Sequence, residues 1–199
     1  MYRFIESIQL NDGVFKRLGL HQERVCKTMS DFYPKYKVFE LMELLSQTSF
    51  PPEGLFKCRI VYDSEIRSLE FTPYHKREIH SLRLVETQLE SVPYKKEDRN
   101  LLNAAFALRE DCDEIILIKN GLLTDTSFTN IAFYDGLNWF TPRIPLIYGV
   151  NRTQLVRQGI LIEKDLTSSD LVNFQRVSLF NAMNEFGSIE LDISAIRQE

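Results

Sequence analysis

Apolar residues in the first half of the chain alternate in some segments and recur at helical spacing in others. The segment YRFIESIQL alternates with a period near two and ends at the hairpin signal NDG, which makes VFKRLGL a possible partner strand. HQERVCKTMSDFY and KVFELMELLSQ carry apolar or small residues at helical spacing, which predicts two helices that end at proline breaks. LFKCRIVYD and IRSLEFTPY predict the two strands of a second hairpin.

The second half of the chain begins with a short strand pattern, SLRLVETQ, and an irregular polar stretch, SVPYKKEDR. DRNLLNAAFALRED is the strongest helical pattern in the chain, and Asp98 is a candidate cap for its start. Three β-type runs follow: EIILIKNG, TNIAFYDG and NWFTP. The pattern then predicts a helix in NRTQLVRQGI, closed by Gly159, and a strand in LIEKDL. It ends with a short capped helix in SSDLVNF and a buried run in RVSLFNAM. The sum predicts an α+β protein of two lobes, residues 1–90 and 91–199, each with a mainly antiparallel sheet and helices packed outside.

Composition and charge narrow the class of protein. With 199 residues, 44% of them hydrophobic, the chain is long enough to bury a core. The net charge of -4 argues against a nucleic-acid binder, and no stretch reaches the roughly 20 apolar residues of a membrane span. Three cysteines lack the spacing of a zinc site, so we expect reduced thiols in a cytoplasmic protein without a metal: Cys26, Cys58 and Cys112.

The stretch DTSFTN, residues 125–130, carries more polar side chains than a turn between two strands requires. Asn120-Gly121, just upstream, already supplies turn chemistry. By itself Asp125 is an ordinary turn carboxylate. The additional hydroxyl and amide side chains suggest that this cluster lines a pocket.

Other candidate residues are weak signals when each is taken alone. Lys95 and Lys96 lie between a strand and the strongest helix, where a partly desolvated lysine would become a nucleophile for carbonyls, although a solvated linker is the default. Arg24 is by default a surface charge on the first helix. Gly149 opens a helix whose first backbone N–H groups are free to bind an anion.

Taken in order, these signals form a pattern: H-x-x-R-V, K-x-x-x-R, N-G-x-x-T-D-x-x-x-x-N-I-x-F, W-F-T-P and G-V-N-R. The pattern resembles the class IV aminotransferase family of pyridoxal-phosphate enzymes, which includes branched-chain aminotransferases, D-amino-acid aminotransferases and aminodeoxychorismate lyase. The resemblance runs from Phe4 to about Ile189. It implies the two-lobed fold-type IV architecture with the cofactor between the lobes, a small-molecule substrate and a homodimer.

The resemblance also implies roles for individual residues. Lys95 would be the Schiff-base lysine and the base that moves protons at the substrate carbon. Arg24 would bind the cofactor's phosphate, and Val150 and Asn151 would offer backbone N–H groups to the same phosphate. Asp125 would face the pyridine nitrogen and keep it protonated, so that the ring accepts electrons.

Within the family, two features resemble the lyase. Arg99 follows Lys95 in the lyase-like spacing K-x-x-x-R, and we count it among the cofactor-binding residues. The run Phe180–Met183 is similar to the lyase's N-A-L. The aminotransferase spacing K-x-x-x-N fits Lys96 with Asn100, so Lys96 stays open as the alternative Schiff-base lysine.

These features predict a lyase resembling 4-amino-4-deoxychorismate lyase, which makes 4-aminobenzoate and pyruvate for folate synthesis. One alternative is an aminotransferase acting on branched-chain or D-amino acids. Another is a non-catalytic cofactor- or partner-binding relative. The last is motivated by the short chain, by Asp125 where the family usually has glutamate, and by Asn151 where it commonly has threonine or serine.

Overall fold

The computed structural model describes residues 2–197, which group into two compact units. The first unit contains the chain through Lys76 together with Pro93–Asp98, and the second contains Arg77–Val92 and the chain from Arg99 onward. None of the helices in the described part of the chain has the length and apolar character needed to cross a bilayer.

The first unit is one antiparallel sheet covered by helices. Its strands lie in the order β2-β1-β3-β4, with β1 Phe4–Asn11, β2 Val14–Phe15, β3 Leu55–Tyr62 and β4 Ile66–Pro73. The helices are α1 Leu18–Phe32 and α2 Leu41–Ser46. Apolar side chains from β1, β3 and both helices form its core: Phe4, Ile8, Val25, Met29, Leu41, Leu45, Cys58, Ile60 and Tyr62.

The segment Pro93–Asp98 belongs to the first unit because its backbone bonds to the start of β1. Ile5 N donates to Lys95 O at 2.8 Å, and Glu97 N donates to Arg3 O at 2.9 Å. The predicted lobe boundary, after residue 90, assigns this segment to the carboxyl-terminal lobe and residues 77–90 to the amino-terminal lobe, the reverse of the division in the structure. Backbone pairing across some 90 residues of sequence is not visible in a local pattern, which is why the two divisions differ.

The second unit contains two sheets that share one apolar core. The first sheet has the order β13-β5-β6-β7, with β5 Leu82–Glu86, β6 Glu114–Lys119, β7 Leu122–Thr126 and β13 Ile196–Arg197. The second has the order β10-β9-β8-β11-β12, with β8 Asn130–Tyr134, β9 Trp139–Pro142, β10 Leu161–Lys164, β11 Arg176–Phe180 and β12 Glu190–Asp192. Their buried faces meet in one cluster that includes Ile116, Ile118, Leu123, Ile131, Phe133, Val177 and Leu179.

Two α-helices and two short 3₁₀ helices complete the second unit. They are α3 Asn100–Ala107, α4 Val150–Arg157 and the 3₁₀ turns Ser168–Asn173 and Ile193–Ala195. The mixed architecture confirms the α+β prediction. Three of the strand pairings are parallel, namely β5 with β6, β13 with β5, and β9 with β10, and the other seven are antiparallel.

One local prediction holds only in part and two are wrong. VFKRLGL pairs as a strand only at Val14–Phe15, because Arg17 adopts a left-handed conformation with φ 56° and α1 begins at Leu18. Asp98 does not cap α3, whose N-cap is Arg99 without a side-chain bond. Asp125 lies within β7 rather than in a turn, because Asn120-Gly121 already reverses the chain.

Candidate active site

In the first unit, Arg24 is buried and bound by a carboxylate that the sequence did not identify. Arg24 Nε donates to Glu6 Oε1 at 2.8 Å, and Nη2 donates to Glu6 Oε2 at 2.6 Å. Both side chains are almost fully buried, at 7% and 1% exposure. The predicted surface arginine is therefore half of a buried, bidentate ion pair, the strongest geometry available to these two groups.

His21 completes a three-residue cluster with this pair. Its Nδ1 lies 2.5 Å from Glu6 Oε2, and its buried Nε2 has no hydrogen-bond partner among the described residues. Burial lowers the pKa of His21, against the opposing effect of Glu6, so the imidazole is neutral near pH 7. Burial raises the pKa of Glu6, but Arg24 and His21 outweigh it and bring that pKa down to about 2.

Lys95 and Lys96 occupy different environments in the same unit. Lys95 is half-buried, and its Nζ donates to Ser7 Oγ at 3.2 Å. Lys96 is exposed, with its Nζ 5.1 Å from the centre of the Tyr2 ring. Ser7 follows Glu6 on β1, so the half-buried amine and the Arg24 cluster are positioned by adjacent residues of one strand.

In the second unit, Asp125 is buried at the end of β7 and held by several donors. Asn130 Nδ2 donates to its Oδ1 at 2.8 Å, and Ile147 N donates to its Oδ2 at 2.9 Å. Burial raises the pKa of Asp125 to about 6, although these bonds and the charge of Arg152 oppose the shift. A carboxyl group with this pKa exchanges protons readily near neutral pH.

The same asparagine connects Asp125 to the start of α4. Asn130 Nδ2 also donates to Ile147 O at 2.9 Å, and a Cβ added at Gly149 would overlap Asn130 Oδ1. Glycine at 149 is therefore required by close approach rather than by its backbone angles, which are ordinary at φ -65° and ψ 143°.

Helix α4 begins with backbone donors that precede its first intrahelical bond. That bond runs from Thr153 N to Gly149 O at 2.9 Å, so the N–H groups of Val150, Asn151 and Arg152 come before it. Such groups, at the positive end of the helix dipole, form a suitable site for an anion. Val150 and Asn151 directly follow Gly149, which lies close to the Asn130 side chain that bonds Asp125.

The Asn151 side chain binds a neighbouring turn. Its Nδ2 donates to Asn181 O at 2.9 Å and to Asn184 O at 3.3 Å. Asn181 in turn donates to Phe128 O at 3.0 Å, which joins this turn to the segment that follows Asp125. Asn151 therefore ties α4 to the turn 181–184, while its backbone N–H remains at the helix start.

Arg99 lies beside the same segment. Its Nη2 donates to Ser127 O at 2.7 Å, and Ser127 also bonds through its N and Oγ to the fully buried Glu114 at 3.1 and 2.9 Å. Burial lowers the pKa of Arg99, against the opposing charge of Glu114. Arg99 thus contacts the chain two residues beyond Asp125.

The structure accordingly divides the predicted site residues into two groups. Arg24 and Lys95 bond consecutive residues of β1, Glu6 and Ser7, in the first unit. In the second unit a continuous set of contacts joins Asp125 to α4, the turn 181–184 and Arg99. Sequence reasoning missed Glu6 as part of the site. A visible signal was present, because Glu6 occupies an apolar position of the alternating strand pattern, between Phe4 and Ile8.

Comparisons with known proteins identify the family and the fold of this chain. The family model of class IV amino-transferases matches residues 3–190. A curated protein of Haemophilus influenzae without an assigned function is 33% identical over 186 residues, which cover 92% of this chain and 99% of that protein.

Solved structures show the same fold. A protein of Haemophilus somnus, provisionally named a 4-amino-4-deoxychorismate lyase, is 32% identical with a TM-score of 0.86, covering 93% of this chain and 98% of its own. A protein of Mesorhizobium loti, provisionally named an amino-acid aminotransferase, is 21% identical with a TM-score of 0.84, covering 99% and 100%. The family model spans nearly the whole chain and the first of these structures resembles it throughout, so the chain belongs to the class IV aminotransferase family of pyridoxal-phosphate-dependent enzymes.

Proposed function

We propose that this protein is a pyridoxal-phosphate-dependent lyase that converts 4-amino-4-deoxychorismate to 4-aminobenzoate and pyruvate, as a cytoplasmic homodimer in folate synthesis. The observation that supports the proposal is the buried Asp125, held by two donors. The family resemblance assigns this residue to the ring-binding carboxylate. The resemblance to a Haemophilus somnus protein with this name favours the lyase over other reactions of the family.

The residues present fit this cofactor. A phosphate favours a buried cation or free backbone donors; the first unit offers Arg24 and the second unit, separately, offers the first turn of α4. The cofactor's ring nitrogen requires a carboxylate in a site shielded from water, and Asp125 is 5% exposed. Aspartate is one methylene shorter than the family's glutamate, so its fixed bonds to Asn130 and Ile147 set where the carboxylate lies.

Each residue then has a defined task. Arg24 and the N–H groups of Val150 and Asn151 would bind the phosphate, and Asp125 would keep a proton on the ring nitrogen. When bound, the cofactor supplies an electron-accepting ring that stabilises negative charge at the substrate's amine-bearing carbon. Lys95 would hold the cofactor through its amine and would remove the proton from that carbon.

Loss of pyruvate follows from that proton removal. The bond between the ring carbon and the enolpyruvyl oxygen breaks, the six-membered ring becomes aromatic, and the departing enol takes up a proton to give pyruvate. The atoms balance without water or an oxidant. Because aromatisation drives the step, the chain has to supply mainly orientation and a base.

The assignment of Lys95 is tested by chemical trapping. Protein incubated with pyridoxal phosphate and reduced with borohydride should carry the phosphopyridoxyl group on Lys95 in peptide mass spectra. Lys95→Ala should abolish the label and lower the rate of pyruvate release by at least about a thousandfold, because both the amine and the base are lost.

Lys96→Ala is the matched control, since Lys96 is the exposed neighbour. It should retain both the label and the activity. If Lys96→Ala lost the label and Lys95→Ala kept it, Lys96 would be the Schiff-base lysine instead. Protein that takes up no pyridoxal phosphate would contradict the enzyme proposal and support a binding relative.

The reaction type is tested by two product assays on the loaded protein. We expect pyruvate and 4-aminobenzoate to appear in equal amounts from aminodeoxychorismate. We expect no comparable exchange of amino groups between branched-chain or D-amino acids and keto acids. Amino exchange without pyruvate release would instead identify an aminotransferase.

A further inference from the structure

Glu6 places a carboxylate in the middle of an otherwise apolar sheet face. On β1 it lies between Phe4 and Ile8, both fully buried, and faces α1 as they do. Burial removes the hydration of a carboxylate, so such a group requires partners that compensate its charge. Arg24 and His21 are those partners.

The cluster is balanced in charge without any ligand. Glu6 carries one negative charge and Arg24 one positive charge, whereas His21 is neutral because burial lowers its pKa. Without Glu6, the cofactor-free protein would hold a buried and uncompensated guanidinium. The two bonds to Glu6 use Nε and Nη2 of Arg24, so Nη1 is the guanidinium nitrogen that they leave for another anion.

We propose that Glu6 is the internal counter-ion of Arg24: it compensates the arginine in the cofactor-free protein and competes with the cofactor's phosphate for the same guanidinium. This inference rests on the proposed function, in which Arg24 binds that phosphate. A bound phosphate would be attracted by Arg24 and repelled by Glu6, because the Glu6 carboxylate bonds the same guanidinium. The carboxylate therefore stabilises the empty protein and weakens cofactor binding at the same time.

The test is Glu6→Gln, which keeps the shape of the side chain and removes its charge. The cofactor-free variant should unfold at a lower temperature than the wild type. In absorbance titrations it should bind pyridoxal phosphate at least about tenfold more tightly, because the attraction of Arg24 is no longer opposed. Its affinity for pyridoxal, which lacks the phosphate, should stay within about threefold of the wild type, since Glu6 acts on the phosphate charge.

Asp63→Asn is the matched control. Asp63 is a buried carboxylate of the same unit, bonded to Arg67 Nε at 2.8 Å and outside the Arg24 cluster. This variant should lose stability without a change in affinity for pyridoxal phosphate. Unchanged or weaker binding by Glu6→Gln would overturn the inference, because Glu6 would then only orient Arg24 or support the fold.

A second measurement, the effect of inorganic phosphate on the unfolding temperature, tests the inference even if Glu6→Gln is less stable than the wild type. Added phosphate should raise the unfolding temperature of Glu6→Gln more than that of the wild type or of Glu6→Asp, which retains the charge. Equal effects in all three proteins would overturn the inference. Failure of the wild type to bind pyridoxal phosphate would contradict the proposed function instead, and the response to inorganic phosphate would still report on the counter-ion.

Discussion

A buried carboxyl group with a raised pKa makes the stability of the protein depend on pH. The pKa of Asp125 is raised from 3.8 to about 6 by burial. Its contribution to stability is therefore fully present below pH 3.8 and is lost as the pH rises through 6. The shift corresponds to a loss of about 3 kcal/mol in the free energy of unfolding.

Asp125→Asn should remove this dependence, because an amide of the same shape does not ionise. Urea unfolding of the cofactor-free protein between pH 4 and 7 should show the wild type losing stability relative to the variant. Asp135→Asn is the control, since backbone N–H groups of Asn138 and Leu137 lower the pKa of Asp135 and it titrates below this window. Parallel curves for wild type and Asp125→Asn would contradict the assigned environment of Asp125.

The sequence identified Asp125 and Arg24 as site candidates but not their surroundings. The order of the motifs along the chain identified both residues. The bonds that define their chemistry are tertiary: Arg24 on α1 bonds Glu6 on β1, and Asp125 on β7 accepts from Ile147 in the segment before α4. Glu6 could have been found, because a glutamate at an apolar position of an alternating strand requires a buried partner. The identity of that partner depends on tertiary packing, which a local pattern does not contain.

At the level of elements, the start of α4 is positioned by a close contact rather than by a cap. Gly149 precedes the helix with no side-chain cap, and a Cβ there would overlap Asn130 Oδ1. Gly149→Ala should therefore displace Asn130 and weaken its bond to Asp125. We expect a loss of about 1–3 kcal/mol in the free energy of unfolding, typical of an overpacked site, together with weaker cofactor binding.

Gly19→Ala provides the comparison for that measurement. A Cβ at Gly19 meets no atom within 4 Å, and the residue lies within α1. Alanine there should leave cofactor binding unchanged and raise stability by up to about 1 kcal/mol, as expected for glycine replaced in a helix. If both variants behaved alike in denaturant unfolding and cofactor titration, the contact at Gly149 would have no special role.

Elements with strong periodicity were predictable, and those defined by distant pairing were not. α1, β3 and β4 follow their apolar patterns closely. β7 was missed because LLTDT is half polar, and its buried Thr124 and Asp125 are accommodated by hydrogen bonds rather than by apolar contacts. β12 and β13 are only three and two residues long, too short to carry a periodic signal.

For the whole molecule, the path of the chain fixes the position of the proposed catalytic amine. The chain leaves the first unit after Lys76, returns for Pro93–Asp98 and leaves again, so Lys95 lies in a short segment that two backbone bonds to β1 anchor. One of these bonds, from Glu97 N to Arg3 O, is removed by proline, which has no N–H group. Glu97→Pro should therefore cost about 1–3 kcal/mol and reduce borohydride-trapped label on Lys95 at a fixed cofactor concentration.

Glu97→Ala separates the backbone bond from the side chain. It keeps the N–H group and removes only the ion pairs with Arg3 and Arg59, at 3.8 and 3.2 Å. Partly exposed pairs of this kind contribute at most about 1 kcal/mol, so this variant should label like the wild type. Lower labelling in both variants would show that the glutamate side chain, rather than backbone pairing to β1, holds Lys95 in place. The label forms on the Lys95 amine without any substrate. Comparing the labelling of Glu97→Pro and Glu97→Ala therefore reports the position of Lys95, whichever substrate the enzyme uses.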